Sequence, residues 1–551
     1  MASLTEENAH AGAPDTSVIF PGEFWGACAL ADKLLAVASG TRTEAKVLNE
    51  FLSVRSVKAI MEELAQTESV TVEQVDLIVK LLERIIFNKC GMVVISPSLP
   101  GTMNYVFSGL SSHHRKLQTL SVNVIDHVCG ETRTNPKQAY TFDERYVQPL
   151  IDVLGSENLE AAEAATDVIA RAAERAEPPQ KRLLVRSLIA FYKTPKDDYG
   201  LCEMRGLHCI ARAAATDDAT FHMCEDIGAI KLFDEAVQTD DILLCMNVLE
   251  MLRIMAIQLS GAIYFFQNTT VISELFNMLG VKDTGEDATD RISSFGGVSL
   301  LWGPAITFFS AVFWPDLPIK GLDPIAYENR EKFVQSYMVV CISILKYGQE
   351  MHEEAMVLTT MGSLKEFADG GMQNARTLME RETLVEIITT MTASTNSMYR
   401  GTALHILASV FRAALPPMEF GVKLFDDIGK ANRNATMSTI DVLLTYARQP
   451  LDDTRRGVFD LFGAILSQGG DWGIRLTFSH SKFEEWLMDA RSETSMEMKQ
   501  WKFHIYEALY ASSNISLLRP DLKDEILNRV KNGPYHTGGT ASAQVATEEA
   551  M

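Results

Sequence analysis

The feature that most constrains the fold of this chain is a pair of similar segments that lie 83 residues apart. "LIDVLGSENLEAAEAATDVIARAA", which starts at Leu150, aligns without a gap with "FDEAVQTDDILLCMNVLEMLRIMA", which starts at Phe233. Each segment has a short apolar stretch, a polar hinge and a longer amphipathic stretch that starts at Leu159 or Ile242. Two repeats of about 40 residues fit this shift, and that is the length of a HEAT or armadillo unit. The pattern therefore predicts stacked helix pairs.

Most of the remaining chain has the periodicity of helices. "VTVEQVDLIVKLLERIIF", "YRGTALHILASVFRAAL" and "DTRRGVFDLFGAILSQ" repeat apolar residues every three or four positions, and "MVVIS" is the one segment that fits a strand. Helix pairs of this kind bury their apolar faces by stacking on neighbours, which creates a concave binding face. We predict an all-α, curved HEAT/armadillo-like α-solenoid over residues 21–530. A flexible acidic arm (1–20) and a flexible tail (531–551) would flank it.

Charge and cysteine usage restrict the partners and the compartment. The 551 residues include 72 acidic and 50 basic side chains, a net charge of −22. Such a field repels nucleic acid and anionic membranes and attracts basic protein surfaces. The first basic residue is Lys33, so no export signal is apparent, and the eight cysteines include no C-x-x-C pair. We therefore expect a cytoplasmic protein with reduced thiols, with the nucleus as a second possible compartment.

An uncharged run from Ile292 to Pro315, "ISSFGGVSLLWGPAITFFSAVFWP", raises the question of a membrane span. Its glycines and prolines leave only "PAITFFSAVFW" as a helix, which is about 16 Å long at 1.5 Å per residue. A span needs to cross roughly 30 Å of hydrocarbon. We predict instead a helix in the core of the stack, with Phe308, Phe309 and Phe313 buried. A hydrophobic docking patch is the alternative.

The sequence contains no recognisable catalytic motif. Phosphate-binding loops, dinucleotide fingerprints and nucleophile elbows are absent, and "HEEAM" has Met356 where a zinc-binding helix requires a second histidine. The densest group of metal-capable residues lacks the paired ligands on tight turns that structural zinc sites use, so we expect packed thiols and ordinary histidines, with zinc as the alternative. That group is Cys202, His208, Cys209, His222 and Cys224. We expect no enzyme activity and no cofactor.

Two parts of the chain resemble a known family. The segments "DIGAIKLFDEAVQTDDILLCMNVLEMLRIMA", "SGAIYFFQNTTVISELFNML" and "WGPAITFFSAVFW" are similar to the family of 26S proteasome non-ATPase regulatory subunit 5, as is "GVFDLFGAILSQGGDWGIRLTFSHSKFEEWLMDARSETSMEMKQWKFHIYEAL" with the tail ending in "VATEEAM". The resemblance is clear over about 225–320 and 455–551 and patchy elsewhere. It rests on a distributed pattern, because this family has no catalytic signature.

The resemblance implies a non-catalytic chaperone that assembles the base of the proteasome regulatory particle. Such a protein is a HEAT/armadillo-like solenoid that binds the C-terminal domain of one proteasomal ATPase, of the regulatory subunit 7 type, within a base precursor module. It prevents premature docking and leaves before the 26S particle is complete. By itself the chain would be a monomer without a small-molecule substrate. A general armadillo adaptor, for example in nuclear transport, and an enzyme with a site assembled from distant residues are the alternatives.

Polar positions on the second helix of each repeat are the candidates for contact with the partner, since that helix usually lines the concave face. The shift of 83 residues pairs Asp167 with Glu250, and Arg171 and Arg253 follow about one turn later. Further along the chain, polar stripes occur in two more predicted helices. The full set of candidates is Asp167, Arg171, Glu250, Arg253, His405, Ser409, Arg412, Arg456 and Asp460.

Overall fold

A computed structural model describes most of the chain, and it divides into two compact units that join between Glu235 and Ala236. The described residues are 25–66, 72–95, 102–130, 142–194, 201–238, 241–268, 270–281, 298–314, 323–414, 418–432, 437–468, 470–489 and 491–535. Within these ranges all regular structure is helical. The predicted all-α HEAT/armadillo-like class is confirmed.

Unit 1 consists of helices in two rows. Its helices are α1 Trp25–Ala36, α2 Arg42–Val54, α3 Val57–Gln66, α4 Val72–Ile86, α5 Thr102–Leu110, α6 Arg115–Gly130, α7 Val147–Leu154, α8 Leu159–Arg175, α9 Pro178–Tyr192, α10 Leu201–Ala214 and α11 Asp218–Asp226, with α12 Lys231–Val237 at the junction. Helices α4, α6, α8 and α10 pack side by side as a second row, and α3, α5, α7, α9 and α11 form the first row.

The predicted repeat is confirmed at the level of helix boundaries. The second-row helix α8 begins at Leu159, because the Asn158 side chain accepts a hydrogen bond from the Ala161 amide. The helix that starts at Ile242 begins in the same way, with Asp241 as its capping residue. A helix at Leu201 lies between them. The shift of 83 residues therefore spans two repeats of the predicted length.

Unit 2 continues the same construction with longer repeats. Its helices are α13 Ile242–Ala256, α14 Leu259–Gln267, α15 Thr270–Met278, α16 Trp302–Phe313, α17 Pro324–Met351, α18 Glu354–Asp369, α19 Met372–Met379, α20 Glu382–Met391, α21 Ser397–Ala414, α22 Met418–Ala431, α23 Thr439–Ala447, α24 Asp452–Gln468, α25 Gly470–Phe478, α26 Ser481–Met488, α27 Met496–Ala511 and α28 Pro520–Asn532. Helices α13, α16, α18, α21, α24 and α27 pack in that order as the second row. Helices α14, α17, α20 and α22 follow one another in the first row.

The uncharged run supplies the aromatic core of unit 2. Its helix, α16, starts two residues before and ends one residue before the predicted segment. The side chains of Phe308, Phe309 and Phe313 are fully buried, so the predicted burial is confirmed. The Phe309 ring stacks on Phe276 with 4.4 Å between the ring centroids, and Phe308 meets Phe265 edge-on at 5.4 Å. These contacts join α16 to α14 and α15.

Two further expectations concern membrane spans and strands. Among the described residues no single helix is both long and apolar enough to cross a membrane, although α13 and α14 together meet the length and composition criteria with a 119° bend. The predicted strand segment is irregular where it is described, over residues 92–95. The N-terminal arm, residues 292–297 of the uncharged run and the tail from residue 536 lie outside the described residues.

Candidate functional site

All nine candidate residues lie on second-row helices. Asp167 and Arg171 belong to α8 in unit 1, and the other seven belong to α13, α21 and α24 in unit 2. We call the exposed side of the second row in unit 2, formed by α13, α16, α18, α21, α24 and α27, the second-row face. The structure does not gather the nine residues into one pocket, but it connects most of them to charged residues on neighbouring helices.

In unit 1 the two candidates link α8 to the helices on either side. Asp167 Oδ1 accepts a hydrogen bond from Arg212 on α10 at 3.1 Å. Arg171 Nε donates to Asp126 Oδ1 on α6 at 2.9 Å. About half of the Asp167 side chain is exposed, whereas those of Arg171 and Asp126 are more covered. The ion pairs therefore join successive repeats and leave Asp167 accessible.

The first candidates in unit 2 lie beside a shallow part of the second-row face. Arg253 on α13 lies 3.9 Å from Glu250 and also 3.9 Å from Glu366 on α18, so its ion pairs reach across α16. Helix α16 exposes only small groups there, including Gly303. A Cβ atom added to Gly303, or to Gly362 on α18, would meet no other atom within 4 Å. Neither glycine is therefore covered by the chain's own side chains.

The centre of the second-row face is an ion-pair cluster on α21 and α24. His405 Nδ1 lies 2.6 Å from Asp460 Oδ2, and Arg412 forms an ion pair with Asp460 Oδ1. Burial opposes ionisation of Asp460, but the hydrogen bond with His405 and the charge of Arg412 outweigh it and lower the pKa of the carboxyl group. The polar residues that the sequence analysis found on two separate helices thus form one charged cluster.

Ser409 differs from the other candidates because its side chain is fully buried. Its hydroxyl donates to the carbonyl oxygen of His405 at 3.1 Å, four residues earlier in the same helix. The small side chain fits within the packing of α21, and the helix satisfies its only donor. Ser409 therefore supports the helix packing and does not contribute to the exposed second-row face.

The central cluster extends to the adjacent helices. Arg412 lies 3.8 Å from Asp369 on α18, which in turn binds Lys365 at 2.7 Å. On the other side, the His405 ring lies 5.8 Å from the indole of Trp501 on α27. Charged and aromatic groups from four successive second-row helices therefore form one continuous strip.

Arg456 lies on the side of α24 that faces α27. Its guanidinium binds Glu497 of α27 at 2.8 Å and lies 3.5 Å from Asp453, one turn earlier in α24. About a third of the Arg456 side chain and about half of Glu497 are exposed. The pair resembles the one in unit 1, since it joins two repeats and remains accessible to solvent.

Sequence reasoning missed the partners of these residues, although a signal for them exists. The partners lie one repeat away along the chain: Asp126 and Arg171 are 45 positions apart, as are Asp167 and Arg212. For Arg412 and Asp460 the separation is 48 positions. Opposite charges on second helices at one repeat length thus indicate contacts between repeats.

The cysteine and histidine group does not converge. The thiols of Cys202 and Cys209 are buried and lie near the carbonyl oxygens of Leu154 and Thr166. Burial raises the pKa of the Cys209 thiol to about 12, which keeps it protonated. Within the described part of the chain, no three His, Cys, Asp or Glu side chains are placed to hold a metal ion.

The "HEEAM" segment forms the turn between α17 and α18. His352 ends α17 in the left-handed conformation, with φ of 59°, and the residues around it are exposed. A solvated acidic turn therefore lies at this position. A second-row face with exposed charges is suited to binding another macromolecule's surface.

Comparison with known proteins relates part of the chain to the proteasome. Residues 336–550 match the family model described as "Proteasome non-ATPase 26S subunit". This C-terminal part is related to proteasome non-ATPase subunits. It contains the central cluster, Arg456 and the last four helices of the second row. A comparison with curated proteins gave no match.

Solved structures with a similar fold include two crystal structures of importin beta. One was obtained in an ammonium sulfate condition and matches with a TM-score of 0.54 at 14% identity over 94% of this chain. The other, in a polyethylene glycol condition, matches with a TM-score of 0.55 at 15% identity over 94% of this chain. The chain spans 57% and 65% of those two proteins. This similarity shows a helical-repeat fold and nothing further.

Proposed function

We propose that this protein is a non-catalytic chaperone for assembly of the proteasome regulatory-particle base. In this proposal it binds the C-terminal domain of a proteasomal ATPase of the regulatory subunit 7 type, in the cytoplasm, and blocks premature docking. The observation that carries the proposal is the match of residues 336–550 to a proteasome non-ATPase subunit family, over the part of unit 2 that contains the central charged cluster.

The second-row face supports a binding role for physical reasons. Its charged side chains are already fixed by ion pairs with neighbouring helices. Less side-chain entropy is therefore lost when a partner binds. The exposed acids Asp167 and Glu250 add to the overall negative field, which attracts a basic partner. A large partner seated on this face excludes other subunits from the same docking surface by its volume alone, and no chemical step is needed.

The test is a binding measurement between the purified full chain and the C-terminal domain of that ATPase. We expect the double substitution Asp167→Lys and Glu250→Lys to weaken binding by about tenfold or more, since each reversal changes an attraction to a repulsion. Glu380→Lys with Glu382→Lys changes the net charge equally, on exposed residues where the chain passes from α19 to α20, and is the matched control. Equal weakening by both pairs, or unchanged affinity of the first at low salt, would contradict a role of Asp167 and Glu250 in binding.

A second variant tests the face by shape. Gly362 lies on α18 with open space where a Cβ would point, so Gly362→Arg adds a long side chain without a clash inside the protein. We expect this variant to keep its fold and lose affinity for the ATPase domain. If a folded Gly362→Arg protein binds normally, the docking surface does not include this part of the second-row face.

The main alternative is a general armadillo adaptor. Such an adaptor is expected to carry regularly spaced tryptophans and asparagines on its inner helices. Here Trp302, Trp472 and Trp486 are buried and belong to the core. Recovery of proteasomal ATPases without the 20S core in a pull-down favours the chaperone, whereas recovery of transport receptors favours the adaptor.

A further inference from the structure

A row of exposed apolar side chains lies along one edge of unit 2, at the beginnings of the second-row helices. In each repeat one exposed leucine or methionine lies at the turn before the second-row helix or in its first residues. We call these six residues the turn ridge: Leu243, Leu300, Met351, Met398, Leu451 and Met496. Their exposed fractions range from 39% to 67%, so each one presents apolar surface to solvent.

Contacts between adjacent turns place the ridge residues on the same edge. Asn396, just before α21, donates to Glu354 at the start of α18 at 2.6 Å. Thr454 in the first turn of α24 donates to the carbonyl oxygen of Ser397, the first residue of α21, at 3.3 Å. The ion pair of Arg456 joins the beginning of α24 to that of α27 in the same manner. The second-row helices from α18 to α27 are therefore parallel, with their first turns side by side.

Most of the charges beside the turn ridge are acidic, although Arg455 and Arg456 on α24 form ion pairs with Asp452, Asp453 and Glu497. Within two residues of its members, the exposed Asp and Glu side chains are Asp241, Glu350, Glu353, Asp452, Asp453 and Glu497. The one arginine that falls within this distance, Arg400, is buried and binds Gln449. The whole chain also carries a net charge of −22. Nucleic acid, an anionic membrane or a second copy of this chain would be repelled, and a basic protein segment would be attracted.

The spacing of the turn-ridge residues indicates which structure the basic partner segment would need. Directly packed helices lie about 8–10 Å apart, and from this value we expect neighbouring ridge residues to be separated by about one such interval. A helix rises about 10.5 Å over seven residues. Apolar side chains at every seventh position of a helix would therefore meet successive ridge residues. Methionine, which forms half of the ridge, adapts its flexible side chain to different partners.

We infer that the turn ridge binds a basic amphipathic helix of a partner protein, with apolar side chains at seven-residue intervals. The ridge lies at the beginnings of the second-row helices, next to the second-row face, so one partner can contact both at once. The inference does not depend on the proposed ATPase: it rests on the exposed apolar row, its register and the acidic residues beside it.

The test uses the full chain and two synthetic peptides of identical composition. One peptide has leucine at every seventh position with lysine and alanine between, and the other has the same residues in scrambled order. We expect the ordered peptide to bind, and we expect Met351→Ser, Met398→Ser and Leu451→Ser together to weaken it by about tenfold or more, because three apolar contacts are lost. Glu350→Gln with Glu353→Gln should weaken binding most at low salt.

A matched control uses exposed apolar residues away from the ridge. Ile325 and Met418 are 65% and 61% exposed at the starts of the first-row helices α17 and α22. Ile325→Ser with Met418→Ser should leave the affinity within about twofold. Equal binding of the two peptides, or equal loss in ridge and control variants, would overturn the inference. Ridge variants that still bind the ATPase domain separate this result from the proposed function.

Discussion

The second row of unit 2 is held together in two different ways along its length. Around α16 the contacts are aromatic: Phe309 is fully buried and stacks on Phe276, and Phe313 stacks on Phe266. Between α21 and α24 the helices approach so closely that Gly401 lies against the backbone of Asp453 and Gly457 lies against the backbone of Gly401. There, ion pairs around Asp460 cover the exposed side of the contact.

This difference in packing suggests that, within one row of helices, the aromatic part serves stability and the polar part serves binding. The aromatic part gains stability from burying volume, and its exposed side has few groups with which to recognise a partner. The polar part uses small residues for packing and therefore keeps long charged side chains on its exposed side. His405 and Arg412 can contribute to stability and still be accessible at the second-row face, since they are partly exposed.

The largest expected effect comes from a deletion in the aromatic part. Phe309→Ala should lower the free energy of unfolding of unit 2 by about 3–5 kcal/mol, because it removes a fully buried ring and leaves a cavity. Urea denaturation followed by circular dichroism measures the change. Trp314→Ala, at a residue that is 44% exposed at the end of the same helix, is the control and should cost less. A loss below about 1 kcal/mol for Phe309→Ala would contradict the packing.

The same contrast explains what the sequence could predict. Burial of the uncharged helix was predictable, since a run without charges that is too short to span a membrane is most stable inside the protein. The stripe on α21 was predictable as a helix face, but Ser409 on that stripe is buried. The pairing of Asp460 with both His405 and Arg412 depends on the register between α21 and α24. Periodicity within one helix does not specify that register, although the repeat spacing of opposite charges indicates it.

A smaller effect is expected from the polar part, and it should depend on pH. Asp460→Asn should lower the free energy of unfolding by about 1.5–3 kcal/mol at pH 7, because charged hydrogen bonds with His405 and Arg412 are lost. The folded-state pKa of Asp460 is lowered, so its stabilisation is present above the unfolded value of about 3.9 and is lost as the pH falls through the folded value.

The measurement for Asp460 compares urea denaturation of the two proteins at several pH values. The difference between them should be largest near pH 7 and should shrink below about pH 4. Asp453→Asn, on an exposed residue of the same helix, is the control and should change stability by less than about 1 kcal/mol. A difference for Asp460→Asn that does not shrink below about pH 4 would show that its carboxylate is not stabilised by the cluster.

The smallest effects distinguish the two sides of α24 itself. A Cβ added to Gly457 would lie 2.7 Å from the carbonyl oxygen of Gly401 and 2.9 Å from the Leu404 Cβ, so Gly457→Ala must push α21 and α24 apart. We expect a loss of about 1–3 kcal/mol, as overpacking usually costs.

Gly463 lies six positions later in the same helix, and its added Cβ would meet nothing within 4 Å. Gly463→Ala should therefore gain about 0.5–1 kcal/mol from the better helix propensity of alanine. Opposite signs for these two substitutions, measured by urea denaturation, would establish that close backbone contact holds the polar part together. A gain at both positions would mean that α21 and α24 are farther apart than the structure places them.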